Sequence, residues 1–276
     1  MGTSHARNFS RDLNHKIVEE ILQKKMANLS TGSGGFFPER IYLNTFLLEK
    51  NKANLLLYFL DPFVFYSDPS SNKNHPQLAL ETWNFSYLYS LYKYDASDET
   101  IMAYIQNNIL LKWLFTKKRP HDLRGKYTRH LFYKHGKKFM RRAEPSEVSE
   151  MLQSWYGRCL NKKKFCADMK TTKEYLFSEN LGYFNDLLVL LKESRIKTIM
   201  VIPPLLFRDP FKSTIISNIK RIALIDEFEV IDCSEVFLHD TDLFSNVDHL
   251  NNYGVQKFAR DYMKPLLDGR TICRVI

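Results

Sequence analysis

The 276-residue chain is 44% hydrophobic and 26% charged, a composition that excludes a disordered, collagen-like or low-complexity protein. Its 40 Lys and Arg against 31 Asp and Glu give a net +9, but twelve of the basic residues and a single acid, Asp122, fall between Lys112 and Arg142, so a segment at +11 sits in a nearly neutral body. No apolar run reaches the ~18 residues of a membrane-spanning helix, and no leader-type pattern opens the chain.

In chain order, Ile17, Ile21 and Leu22 recur at helical spacing after Asn14, a candidate cap, and Met26–Leu29 reads as a short strand. Ile41–Glu49 has a helical pattern, and Ala53–Leu60 is a continuous apolar run of the kind found in strands buried on both faces. From 61 to 175 this alternation stops. Trp83–Tyr94 and Thr100–Phe115 carry long aromatic and aliphatic faces, and Glu144-Pro145-Ser146-Glu147 reads as a helix start with proline in its first turn. Leu181–Lys192 is again helical, Thr198–Ile202 is a strand, Ile215, Ile219 and Ile222 mark a helix, and Phe228–Asp232 is a strand. Strands alternating with amphipathic helices predict an α/β fold with a parallel sheet, one domain over 1–276, interrupted by a basic helical insertion over 61–175. The four cysteines (Cys159, Cys166, Cys233, Cys273) show no metal-ligand spacing. The cysteines are read as buried or incidental thiols, with a Cys159–Cys166 disulfide as an unsupported alternative, and no metal is expected.

Ligands of open α/β sheets lie beyond the carboxyl ends of the strands. The chain begins Gly2-Thr3-Ser4-His5-Ala6-Arg7 and near its end reads Asn246-Val247-Asp248-His249-Leu250-Asn251-Asn252-Tyr253-Gly254. A serine on a tight turn into a helix and a histidine on the loop before the last helix are the parts that nucleophilic acyl transfer requires. The hydroxyl is a poor nucleophile until an imidazole takes its proton, and a third group must hold the ring.

Gly2-Thr3-Ser4 resembles the first block of the SGNH (GDSL-like) hydrolases. Asp248-His249-Leu250-Asn251-x-x-Gly254 resembles their last block, in the form used by the branch that adds or removes O-acyl groups on cell-surface polysaccharides. Asn28-Leu29-Ser30 with Gly32, Gly34 and Gly35 is similar to the second block, and Val201-Ile202-Pro203-Pro204 to that branch's fourth strand. The resemblance covers roughly 1–60 and 175–268. It implies a flavodoxin-like, three-layer α/β/α fold, Ser4 as nucleophile, His249 as general base, and a glycine amide, from Gly34 first and Gly32 second, beside the Ser4 amide in an oxyanion hole. It implies no cofactor, and an extracytoplasmic, membrane-associated setting, although the chain shows no signal or anchor.

Three positions depart from the pattern. Asn246 stands three residues before the histidine where the family has its aspartate, so either Asn246 or the adjacent Asp248 would orient the ring. The loop Leu60-Asp61-Pro62-Phe63 lacks the third-block asparagine, and only Met1–Thr3 precede Ser4, where the family has a central strand. The expectation is an N-terminally truncated chain lacking its first strand. Asp61 is a candidate substrate contact or a turn residue, and Arg7 a candidate site for an anionic substrate group or a solvated side chain. His5 is read as either a site residue or a surface residue. The expected activity is that of a serine esterase or O-acyltransferase on acyl, chiefly acetyl, esters of a carbohydrate. The alternative is a catalytically impaired binding module that holds an anionic polymer. Residues 112–142, with Trp113, Phe115, Tyr127, Phe132, Tyr133 and Phe139 interleaved, would serve an anionic glycan or membrane surface, or be a solvated face. No RNP, zinc-finger or P-loop pattern points to nucleic acid.

Overall fold

The computed structural model describes residues 1–10, 14–30, 35–61, 64–65, 73, 77–110, 172–208, 225–246, 249–270 and 272–275. Four strands form one sheet: β1 (Leu55–Phe59), β2 (Lys197–Ile202), β3 (Glu229–Asp232) and β4 (Arg274–Val275), side by side in that order. The first three are parallel, with Phe59 opposite Val201 and Val201 opposite Ile231, and β4 runs antiparallel to β3. On the free side of β1, Gly2 makes a parallel bridge to Phe59. The Met1 nitrogen donates to the Leu57 carbonyl at 2.8 Å, and the Phe59 N–H donates to the Met1 carbonyl at 2.9 Å. Chain immediately before Ser4 is therefore paired with the sheet.

Period-two alternation in the strands divides their side chains between two cores. Leu56, Tyr58, Met200 and Val230 pack with Phe36 and Leu43 of α3 (Phe36–Leu48) and with Phe184, Leu187, Leu188 and Leu191 of a long helix over Thr172–Ser194. Phe59, Ile199, Val201 and Ile231 pack instead with Ala6 of α1 (Ser4–Arg7), Val18 and Leu22 of α2 (Asn14–Leu22), and Val255 and Phe258 of a helix over Asn252–Phe258. The expected α/β class, with helices against a mostly parallel sheet, is observed.

The expected boundaries shift by a few residues, except in two places. Met26–Leu29 joins no ladder, because its backbone is engaged locally: the Met26 N–H donates to the Glu19 carboxylate at 2.8 Å and the Ser30 N–H to Asn28 Oδ1 at 3.0 Å. Asn14 does not cap α2 from outside. It is the first residue of the helix, and its amide turns to Asn8 O and Asn252 Oδ1.

In the expected insertion, α4 (Phe85–Lys93) and α5 (Asp98–Ile105) start at Asn84 and Ser97, whose side chains accept from Tyr87 N and Thr100 N. Tyr87, Leu91, Ile101 and Tyr104 from these helices close a third core on Phe37 and Ile41, the far side of α3. Burial on both sides explains why α3 reads FFPERIYLNTFLL, apolar nearly all round. The Thr172–Ser194 helix, α6, crosses the expected boundary at 175. The expected helices at 144–147 and 215–222, the end of the one at 100–115, and the basic segment 112–142 lie outside the described residues.

Cys233 and Cys273 form a disulfide that ties β4 and the end of the chain to β3, contrary to the thiol reading. Their 40-residue separation hid the pairing. Antiparallel addition of β4 beside Asp232 brings the two Cα atoms to 5.2 Å. In the chain-entropy account, closing a loop of that length is worth about 4 kcal/mol. No helix among the described residues is long and apolar enough to cross a membrane.

Candidate active site

Ser4 opens α1 directly after the Met1–Gly2 pairing with β1. Gly2 has φ +136°, and a Cβ placed there would lie 2.6 Å from the Phe59 carbonyl oxygen and 2.9 Å from Phe59 Cβ. Only glycine lets the backbone run this close to β1 and still turn so that Ser4 starts a helix. Ser4 itself is half-buried at the carboxyl end of the sheet.

His249 is delivered by a closed loop. Phe244 bridges Leu250, the Ser245 N–H donates to the His249 carbonyl at 2.8 Å, and the Asn251 N–H to the Leu243 carbonyl at 2.9 Å. Asn251, fully buried, then caps α7 (Asn252–Phe258) by accepting from Gly254 N at 2.9 Å, while its amide donates to Asp242 O and Phe244 O at 2.7 and 3.3 Å. Gly254 is demanded by crowding, since a Cβ would come 2.1 Å from Leu243 O. The H-L-N-x-x-G pattern thus has a mechanical basis: a cap and a close approach that hold the histidine loop on the helix.

Across 245 residues of sequence, His249 Nε2 lies 2.7 Å from Ser4 Oγ. On the other side of the ring, Nδ1 is 3.1 Å from Asn246 Oδ1, which also accepts the His249 backbone N–H at 2.8 Å. A backbone N–H can only donate, so the asparagine atom facing it is the carbonyl oxygen. Nδ1 must then carry the ring proton, which leaves the Nε2 lone pair for the Ser4 hydroxyl. Ser4, His249 and Asn246 therefore form a hydrogen-bonded relay in the tautomer that base catalysis needs.

His5 lies beneath this relay. It is buried, its ring stacks on that of His249 with centroids 4.6 Å apart and planes within 5°, and its Nδ1 is 2.7 Å from Asp61 Oδ1. Asp61, on the loop after β1, is 2% exposed. Farther in, Tyr58 of β1 donates to Glu39 of α3. Burial, reinforced by the negative charge of Asp61, raises the Glu39 carboxyl from its ordinary value to about 8 against the opposing Tyr58 bond. Arg7 is half-buried. Desolvation lowers its pKa, opposed by Tyr42 and Glu81, and these two are themselves joined by a 2.9 Å hydrogen bond. Asp248, Gly32 and Gly34 lie outside the described residues. Gly35 is described, at φ 73°, as the N-cap of α3.

Sequence reasoning missed the packing role of three asparagines, of which Asn8 and Asn14 are buried and Asn28 is partly buried. Asn8 Nδ2 donates to the Leu250 carbonyl at 3.2 Å, Asn14 Nδ2 to Asn8 O at 3.1 Å and Asn252 Oδ1 at 2.9 Å, and Asn28 Nδ2 to Ala6 O at 2.8 Å. They tie the serine helix to the histidine loop through amide groups in place of charges. The spacing of Asn8, four residues after Ser4, was a legible signal; the partners of Asn14 and Asn28 were not. Among the described residues, no three His, Cys, Asp or Glu side chains converge to hold a metal ion. Comparison of the chain with family models, curated proteins and solved structures finds no match.

Proposed function

We propose that this protein is a serine esterase or O-acyltransferase of the SGNH type, built as a flavodoxin-like, three-layer α/β/α fold and acting on acyl, chiefly acetyl, esters of a cell-surface carbohydrate. The observation that carries the reading is the relay from Asn246 through His249 to Ser4, with Nε2 2.7 Å from Oγ in the required tautomer. Ser4 Oγ attacks the ester carbonyl carbon while His249 Nε2 takes its proton. The carbonyl oxygen becomes an oxyanion, for which the Ser4 amide and a glycine amide of the 32–35 turn are the candidate donors, each such donor being worth roughly 3 kcal/mol. Collapse expels the sugar oxygen, which receives the proton from His249 and leaves an acyl-serine. Water or a second sugar hydroxyl then repeats the sequence in reverse. Asn246 keeps the ring oriented but brings no charge to the developing imidazolium. The Cys233–Cys273 disulfide supports a setting outside the reducing cytoplasm.

The test is covalent labelling of the full chain with a fluorophosphonate, with the adduct located by mass spectrometry, alongside acetyl-ester turnover. Labelling at Ser4 that Ser4→Ala abolishes and His249→Ala slows by at least ~1,000-fold is expected. A folded native chain that takes no label would leave the binding-module alternative as the better account.

A further inference from the structure

A general base of this kind leaves a positive charge on its ring in the transition state, and the acidic residue that normally faces that charge is replaced here by Asn246. An anion is nevertheless present by another route. Asp61 lies behind His5, and His5 lies flat against His249. We infer that the Asp61–His5 pair is a positioning element for His249, with His5 fixing the plane of the base ring and the Asp61 carboxylate supplying the negative field that Asn246 lacks. This rests on the serine-esterase reading above.

The parts are built for one arrangement. His5 Nδ1 is 2.7 Å from Asp61 Oδ1, and both side chains are about 95% or more buried, so neither can swing into solvent. The other carboxylate oxygen, Oδ2, is buried with no hydrogen-bond partner among the described residues, and His5 is the close neighbour of Oδ1. A ring 4.6 Å away in a parallel stack also blocks one face of His249, leaving it rotation only within its own plane, where Asn246 and Ser4 hold the two nitrogens. The stack keeps His5 neutral when His249 charges, because two imidazolium rings face to face repel each other. The Asp61 carboxylate, 2.7 Å from His5 Nδ1, is then the charge felt across the stack.

Ser4 and His5 face His249 from α1, Asp61 stands behind His5, and Glu39 of α3 and Tyr58 of β1 lie behind Asp61. Asp248, next in sequence, is outside the described residues. Burial raises the Glu39 carboxyl to about 8, so Glu39 is not the source of a negative field near neutral pH.

The experiment measures the rate constant for fluorophosphonate labelling of the full chain from pH 5 to 9, with melting temperatures alongside. Native protein labels at Ser4 with a rate that rises through a single acid-limb midpoint. In Asp61→Asn, which keeps shape and an acceptor oxygen, the plateau rate falls by about 10- to 100-fold and the midpoint moves down by about one pH unit, because losing an anion makes His249 easier to deprotonate. A purely structural role would leave that midpoint in place. His5→Gln, which can still donate to Asp61 but has no ring to stack, lowers the plateau similarly and serves if Asp61→Asn does not fold. Native labelling at Ser4 with an unchanged rate and midpoint in a folded variant overturns the positioning role alone. Absence of native labelling at Ser4 overturns the esterase reading and this inference with it.

Discussion

Gly2 carries more of the site than its size suggests. Its positive φ and its contact with Phe59 fix where the chain leaves β1, and Ser4 follows two residues later. Gly2→Ala is expected to destabilise the fold by 2 kcal/mol or more, at the upper end of the ~1–3 kcal/mol range for a strained backbone or an overpacked contact, and to lower the Ser4 labelling rate in whatever fraction remains folded. Thermal denaturation and labelling of the same sample check this; a variant as stable as the native chain would mean that Phe59 yields easily. The serine and histidine were readable because their neighbours, Gly2, Asn251 and Gly254, have mechanical duties that leave a local pattern. His5 and Asp61 were not paired in advance, since they are 56 positions apart with the helices α2 and α3 between them, and the parallel bridge of Gly2 to Phe59 brings them together.

The histidine loop is a rigid clip closed at its base. Asn251 satisfies three backbone groups at once, and because it is fully buried, replacing it removes its bonds to Gly254 N, Asp242 O and Phe244 O together. Asn251→Ala should therefore lose about 2–4 kcal/mol, a cap plus at least one desolvated polar group, and should slow Ser4 labelling in step because His249 is no longer held. Denaturant unfolding and labelling kinetics on one preparation give both numbers. The apolar runs that became β1, β2 and β3 were anticipated from the sequence. The short Met26–Leu29 stretch was misread because apolar composition over four residues does not separate a strand from a segment whose N–H groups are met by Glu19 and Asn28.

In the molecule as a whole, α3 stands between two cores and carries Glu39 and Arg40 into both. Arg40 is matched by the Asp186 carboxylate and by the rings of Tyr183, Tyr94 and Phe37 at 4.5, 4.8 and 5.1 Å. Glu39 has only a hydroxyl partner described, and burial raises it to about 8, so the folded chain keeps a proton there that the unfolded chain releases near its ordinary value of 4.5. Between those two values the folded state binds more protons, and stability declines as pH rises. Glu39→Gln abolishes that decline. It should match the native chain near pH 5 and exceed it at pH 9 by up to ~4 kcal/mol, read from denaturant midpoints at the two pH values. Parallel curves for the two proteins across that range would place Glu39's proton affinity nearer the ordinary carboxylate.

Hydrophobic periodicity and turn chemistry are local properties, so they made the α/β class, the three parallel strands, the insertion's first helices and the two motifs at opposite ends legible from the amino acids alone. The +11 segment, which dominates the chain's charge, was equally visible, and it lies outside the described residues. Tertiary structure decided what depends on register and crossing of distant segments: that Cys233 meets Cys273, that His249 reaches Ser4, and that a buried His5–Asp61 pair lies under the base. Each of these is a contact between groups whose sequence spacing carries no periodic signal, brought within bonding distance only when the strands align and the helices close over them.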